Sequence, residues 1–428
     1  MSNDEAAASL PQPSEEIPAS ELSKRVFNPI RKIVDEIKFP EGQELEMIPL
    51  TLGDPTVFGN YQAPAPMIED LIRNIKTFKF NGYVHSAGTR DARQAIAKRY
   101  SVPEFPVTEN DVIIGSGCSG ALEIIISGLL NPGDNILLPK PGFSLYQTLA
   151  VARGIDVKFY DLVAEKNWEA DLEMMEKQID SKTKAILVNN PSNPCGSVYS
   201  KQHLKDILAV AERHHLPIVA DEIYGDMTFG DNKFHPLAGL SRNVPIIAAG
   251  GLAKEFVVPG WRVGWVVVHD RNNRLEAVRK GFFALSQLTL GANALVQSVI
   301  PTVLDPEPGT REAAELKQFK DRYLGELQSN CDFTINALAG VPGIHIVAPQ
   351  GAMYGMIQIK VEEFEDIASD VEFANKLLNE QAVFLLPGQC FGIANFVRIV
   401  FAAPVQKLNT AYKRIGEFCR KHAKKTTK

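Results

Sequence analysis

Lys254 closes the stretch Gly250-Gly251-Leu252-Ala253-Lys254, and Arg262 opens the next apolar run in Pro259-Gly260-Trp261-Arg262-Val263-Gly264-Trp265. An ammonium set among apolar groups has a depressed pKa and becomes a usable amine nucleophile toward a carbonyl carbon. A guanidinium nearby suits a phosphate. Alone, either residue reads as an ordinary surface charge beside a turn. As a pair they describe a site for a carbonyl compound with a phosphate handle, and pyridoxal phosphate is such a compound.

Three further segments support that reading. Pro217-Ile218-Val219-Ala220-Asp221-Glu222-Ile223-Tyr224 is an apolar run that ends in carboxylates and follows an amphipathic helical stretch over 201–214. It reads as a buried parallel strand carrying Asp221 at its carboxyl end, where open α/β sheets bind ligands. A carboxylate there can keep a pyridine nitrogen protonated, so that the ring draws electrons from the substrate Cα. Tyr224 is placed to hydrogen-bond the ring's phenolic oxygen. The alternative for Asp221 is a helix cap. Ala185-Ile186-Leu187-Val188-Asn189-Asn190-Pro191-Ser192-Asn193-Pro194 is a buried strand running into a proline-stiffened turn, which can hold the Asn193 amide in one orientation as a second donor to that oxygen. Val112-Ile113-Ile114-Gly115-Ser116-Gly117-Cys118-Ser119-Gly120 is a strand and glycine loop before an apolar helix. Its exposed N–H groups and the Ser119 hydroxyl form an anion site. This loop also matches G-x-G-x-x-G, so a nucleotide-dependent oxidoreductase is the rival reading. The loop lies deep in the chain, and no acid closes a second strand about twenty residues on, which argues for one phosphate and against a pyrophosphate.

In this order the segments resemble the aspartate-aminotransferase-like superfamily of pyridoxal phosphate enzymes, fold type I. The strings Leu52-Gly53-Asp54-Pro55-Thr56, Pro141-Gly142-Phe143-Ser144-Leu145-Tyr146 and Gly351-Ala352-Met353-Tyr354, with the segments around Asn193, Asp221 and Lys254, resemble its tyrosine aminotransferase branch over about residues 26–423. The resemblance implies that Lys254 bonds the cofactor's carbonyl carbon and then moves the proton between substrate Cα and cofactor. Asp221 would pair with the pyridinium, and Asn193 and Tyr224 would bond the phenolic oxygen. Phe143 would stack on the ring, a contact worth ~1 kcal/mol. Arg262, Cys118 and Ser119 would hold the phosphate, with Tyr83 reaching in from a second subunit of a homodimer with shared sites. Arg398, within Asn395-Phe396-Val397-Arg398-Ile399, would clamp the substrate α-carboxylate with help from the Gly53 amide; by itself it is equally an ion-paired structural arginine. Many relatives have a serine at the position of Gly251, which shifts the phosphate site here toward backbone donors.

Relatives dedicated to dicarboxylates read the distal carboxylate with an arginine after the lysine strand. Here residues 281–310 contain neither lysine nor arginine and carry Phe282, Phe283, Leu285, Leu288 and Leu290. The expected donors are therefore aromatic amino acids, tyrosine and phenylalanine first, and the expected acceptor is 2-oxoglutarate. The expected reaction is a two-stage, ping-pong transfer between an amino acid and a 2-oxo acid. Asn28-Pro29-Ile30-Arg31 either folds over the site entrance, as the branch suggests, or is a linker with a helix start at Pro29. Broad-specificity or alanine-type transfer, a carbon–sulfur lyase on the same fold and a non-catalytic ligand sensor remain alternatives.

The elements that position these residues alternate strand and helix from about 112 to 268, which predicts a mostly parallel central sheet flanked by helices. From 311 onward longer charged helices mix with strands, an α+β pattern. The expected division is a disordered segment over 1–25, an N-terminal arm and part of a small domain over 26–61, a large cofactor-binding domain over 62–310 and a C-terminal small domain over 311–428. At 428 residues, 45% of them hydrophobic, the chain is too long for one compact domain. A formal charge of −6 leaves no general footprint for nucleic acid, and the basic cluster from Arg420 to Lys428 reads as a frayed terminus. Five cysteines without paired spacing or a zinc pattern suit a reducing compartment, so the cytoplasm is expected, with no metal. No apolar run approaches the ~20 residues that span a bilayer.

Overall fold

Short apolar runs that are buried on both faces can only be accommodated inside a sheet covered by helices, and that is the arrangement of the larger unit. The computed structural model describes residues 17–36 and 45–425. Its central sheet has eight strands, ordered Val112–Ser116, Val263–His269, Ile246–Gly251, Ile218–Asp221, Thr183–Asn189, Asn135–Lys140, Asp156–Val163 and Glu169–Ala170. The middle five run parallel, while the strands at either end join antiparallel. The expected mostly parallel sheet flanked by helices is therefore present. The helix Lys201–Arg213 shows how such a cover forms: Ser200 Oγ caps it by accepting from His203 N, and Leu204, Ile207, Leu208 and Ala211 make one buried stripe.

Register does the positioning. Asn189 pairs with Asp221, and Asp221 pairs with Ala249, so the carboxyl ends of three parallel strands lie side by side. The last of them leads directly into the loop that carries Lys254.

The smaller unit is a four-stranded antiparallel sheet, ordered Ile344–Val347, Tyr354–Ile359, Phe396–Val400 and Leu386–Pro387. Arg398 sits in its interior, opposite Met356 on one side and Leu386 on the other. Ile48–Pro49 pairs in parallel with Val383–Phe384, which ties the early chain to this C-terminal unit. The helix Arg311–Leu338 packs on both Ala65–Thr77 and Val405–His422 through the buried stripe Leu316, Phe319, Tyr323, Leu327, Cys331 and Leu338.

Two expectations about the termini need correction. Of the segment expected to be disordered, residues 1–16 lie outside the described residues. The remainder contains the helix Glu21–Arg25, capped by Ser20 Oγ and resting on the helix Leu145–Ala152. The basic C-terminal cluster is not a frayed end as far as Lys425, because its first residues complete the helix Val405–His422, whose end favours cations. His422 is buried there, 2.7 Å from Asp366 and 3.1 Å from Glu380, and Lys421 pairs with Glu380 at 2.6 Å. Among the described residues no helix is long and apolar enough to cross a membrane.

Candidate active site

A cavity of about 390 Å³ opens at the carboxyl ends of the central strands, between the two units. Lys254, Asp221, Tyr224, Asn193, Arg262, Arg398, Phe143, Cys118, Ser119 and Gly53 all line it. Tyr83 does not. Its ring is 93% exposed, on the surface of the single chain.

Asp221 is the buried centre, 3% exposed. It accepts from Tyr146 Oη at 2.6 Å, from Ile223 N at 3.3 Å and from Cys118 Sγ at 3.8 Å. Burial raises its pKa, and the hydrogen bonds from Tyr146, Ile223 and Cys118, with the Lys254 charge, pull it back down. A carboxylate so desolvated, with donors on the protein side and a cavity on the other, calls for a cation to complete it.

Two residues that received no role from the sequence complete this wiring. Tyr146 follows Phe143 by three residues across the start of the helix Leu145–Ala152, and their rings meet edge-on at 5.6 Å. Two aromatics three residues apart after a glycine turn were the available signal. Asn189 donates from Nδ2 to the Asp221 carbonyl at 3.1 Å and accepts from Asn193 N at 2.7 Å, so the strand end holds the turn that presents Asn193. A polar residue ending an apolar strand was the clue there. Both X-Pro bonds of that turn are cis.

The Asn193 side chain takes its orientation from Arg398, because a guanidinium can only donate. Arg398 Nη1 donates to Asn193 Oδ1 at 2.8 Å, leaving Asn193 Nδ2 with its two hydrogens for a ligand. Arg398 also donates from Nη2 to the Thr51 carbonyl, and its plane is held between the Tyr354 and Phe391 rings, each centroid 4.6 Å away. Burial lowers its pKa, and its Nε is buried without a partner. All of its acceptors are neutral, so it is a fixed cationic fork lacking its anion. Tyr354, a third residue without an assigned role, also shares a 2.7 Å hydrogen bond with Tyr224 Oη. If Tyr224 accepts that hydrogen, its own remains free to donate into the cavity.

The loop between the antiparallel strands Ile246–Gly251 and Val263–His269 carries both Lys254 and Arg262. Its turn holds Val257 and Arg262 at φ 58° and 53°, the left-handed region that a β-branched residue adopts only under constraint. Lys254 Nζ donates to the Gly53 carbonyl, so of Gly53 the carbonyl is the group now engaged. Arg262 donates to the Pro259 and Ser116 carbonyls at 3.0 and 3.3 Å, over the start of the helix Gly117–Leu129. A Cβ at Gly117 would strike the Arg262 guanidinium, and one at Gly264 would strike the Cys118 backbone, so both glycines permit this close approach. The Cys118 thiol is turned to Asp221, which leaves the backbone N–H, with the Ser119 hydroxyl, for an anion.

The glycine loop does not belong to a dinucleotide fold. Its strand Val112–Ser116 is the outermost of the sheet and antiparallel to its neighbour, and the next strand in sequence lies five places away, so no βαβ unit is formed. The Asn28-Pro29-Ile30-Arg31 segment does close over the site: a helix starts at Pro29, and Asn28, Ile30 and Arg31 line the cavity mouth.

Residues 46–415 match the model of the family described as aminotransferase class I and II. A tyrosine aminotransferase of Dictyostelium discoideum is 49% identical over 411 residues, covering 96% of this chain and 97% of its own length. One from Bos taurus is 48% identical over 404 residues, covering 94% and 89%. The crystal structure of a tyrosine aminotransferase from Leishmania infantum superposes with a TM-score of 0.90 at 34% identity, over 96% of this chain and all of that one.

Proposed function

This chain belongs to the class I and II aminotransferases, and from that premise we propose that it moves the amino group of tyrosine or phenylalanine to 2-oxoglutarate with pyridoxal phosphate as cofactor. It is a transaminase acting on amino and 2-oxo acids. The observation that carries the cofactor is a buried, desolvated Asp221 in a cavity whose other charged lining residues are all cations. The fit is chemical. Asp221 asks for a protonated ring nitrogen, Asn193 Nδ2 is free to donate to a phenolic oxygen, as is Tyr224 Oη when Tyr354 donates to it, and Arg262 over a helix start suits a phosphate. When bound, pyridoxal phosphate supplies an aldehyde that takes up the amino group and a cationic ring that draws electrons from Cα.

The chain's own residues do the rest. Lys254 would hold the cofactor's carbonyl carbon, and its Nζ is the group placed to accept a proton from the substrate Cα and to return it. Tyr146 favours the ionised form of Asp221 by donating to it, and Asn189 keeps Asn193 in place. Arg398 receives the α-carboxylate between its two rings, which orients Cα toward Lys254. Phe143 would cover one ring face, and Ser119 and the Cys118 N–H would join Arg262 in holding the phosphate. The Gly53 amide helps seat the carboxylate.

The aromatic preference is supported by the relatives' printed activity and by a stretch over 281–310 without cations. The residue assignments further imply a homodimer in which Tyr83 of one subunit reaches the partner's phosphate site; the high exposure of Tyr83 in the single chain agrees with this. All five cysteines are free, which suits the cytoplasm. Division into an arm and small domain over 26–61 and 311–428, with a large domain over 62–310, is supported by the pairing of Ile48–Pro49 with Val383–Phe384. Steady-state assay of tyrosine with 2-oxoglutarate tests this reading: parallel double-reciprocal lines with 4-hydroxyphenylpyruvate and glutamate as products are expected. Products of ammonia and pyruvate from a cysteine conjugate, with no need for an oxo acid, would overturn it in favour of a lyase.

A further inference from the structure

Four cations line the active cavity: Lys254, Arg262, Arg398 and Arg31. The first three have work in the proposed reaction, and Arg31 has none. Its side chain makes no hydrogen bond or ion pair with any described residue. It is nevertheless firmly placed. Asn28 Oδ1 accepts from Ile30 N at 3.1 Å and from Arg31 N at 3.2 Å, which fixes the start of the helix Pro29–Glu36. The preceding Phe27 carbonyl accepts from Thr148 Oγ1 at 2.7 Å, anchoring the segment to the larger unit. Ile30 packs into the cluster that contains Phe391, the same ring that covers the Arg398 guanidinium. These ties hold Arg31, which is exposed, at the rim of the cavity that Arg398 also lines.

The acceptor poses a problem that this placement solves. A five-carbon dicarboxylate must find a second cation, and residues 281–310 supply none. The same space must accept an aromatic ring in the other half-reaction, so a buried arginine there would be left unpaired at high cost. An exposed arginine at the mouth stays hydrated when unused and can form a charge-assisted fork when a carboxylate arrives. Resting on the reading of the acceptor above, we propose that Arg31 is the specificity residue that pairs the distal carboxylate of the dicarboxylic 2-oxo acid and stands aside for the aromatic donor.

The test uses the cofactor-loaded enzyme and two probes of equal chain length, glutarate and pentanoate, with their dissociation constants read by titration. The wild type should prefer glutarate by about tenfold or more. In Arg31→Gln that preference should fall to within about twofold through weaker glutarate binding alone, and Arg31→Lys should restore part of it. In turnover, KM for 2-oxoglutarate should rise about tenfold in Arg31→Gln while kcat and KM for tyrosine hold. A wild type without the preference, an Arg31→Gln variant that keeps it, or equal weakening of both probes would each overturn the proposal. The probe titration involves no amino donor. Failure of tyrosine to react would therefore remove the reading of function without touching the dicarboxylate site, and the reverse also holds.

Discussion

Asp221 and Glu222 are neighbours in the chain, both buried, yet they open onto different cavities of similar size, about 390 Å³ and 280 Å³. Asp221 faces a space lined by four cations and receives three donors. Glu222 faces one in which Arg99 is outnumbered by Glu222, Asp226 and Glu255, and it accepts only from Leu237 N at 3.0 Å. There Asp226 already pairs with Arg99, and Glu255 with Lys320. Burial pushes Glu222 up to about 8, and His269, buried beside it, down to about 4, so both sit uncharged near pH 6. The first cavity is charged and incomplete. In the second the charges are paired or neutral, although both His269 ring nitrogens are buried without a hydrogen-bond partner. Volume alone would not tell them apart; what identifies the site is charge left without a partner.

The largest way to break that contrast is Lys254→Ala, which should lower turnover by about 10⁴-fold or more, since proton transfer and the covalent hold are lost together. Near-normal rates from the variant would remove the lysine from the mechanism. Asp221→Asn should cost about 10²–10³-fold in kcat, because the cationic ring would lose its buried counterion. Exogenous pyridoxal phosphate at saturation should not restore the rate, which separates this loss from simple release of the cofactor. Tyr146→Phe removes one hydrogen bond to a charged group, an effect of about 1.5–3 kcal/mol, and should lower kcat by roughly ten- to a hundredfold with little change in KM for tyrosine. Equal rates in wild type and variant would show that Tyr146 only packs.

The second cavity should respond in stability instead of rate. Glu222→Gln should leave turnover within about twofold. A carboxyl whose pKa is raised on folding stabilises the fold fully below its unfolded value near 4.5, and this contribution is lost as pH climbs through about 8. His269 works the other way, its depressed pKa taking stability away as pH falls from 6.5 toward about 4. The two oppose each other below pH 6.5, so the wild type should lose stability most plainly between pH 6.5 and 8, by up to about 1.4 kcal/mol per pH unit. Denaturant titrations across that window should show a flatter profile for Glu222→Gln. An unchanged slope would mean that Glu222 is not the titrating group.

Local signals reached the residues whose chemistry shows in their own segment. Asp221 ends an apolar strand, Asn193 lies in the proline-stiffened turn that follows another, and Lys254 and Arg262 are cations in apolar surroundings, so type and spacing sufficed. Tyr146 and Tyr354 were missed because each acts through a residue far away in sequence, and only the folded register brings Tyr146 to Asp221 or Tyr354 to Arg398; Asn189 was missed because its part is to hold the Asn193 backbone and the Asp221 carbonyl. The strands from 112 to 268 were legible for the same local reason, since buried parallel strands are continuous apolar runs bounded by turns. The two termini were misjudged because charge in a sequence looks solvated until its partners, here Asp366 and Glu380 around His422, are in view. The direction of the Cys118 thiol was likewise invisible, since a helix start presents backbone and side chain to different neighbours.

The central claim is that the cation-lined cavity carries out an aromatic half-reaction by itself. Tyrosine should therefore be mixed with the purified, pyridoxal-phosphate-loaded enzyme in the absence of any acceptor, and 4-hydroxyphenylpyruvate measured against the enzyme present. The account predicts close to one equivalent per subunit, with a matching change in cofactor absorbance that 2-oxoglutarate reverses. No 4-hydroxyphenylpyruvate from tyrosine, while alanine or a cysteine conjugate changes the absorbance, would contradict it.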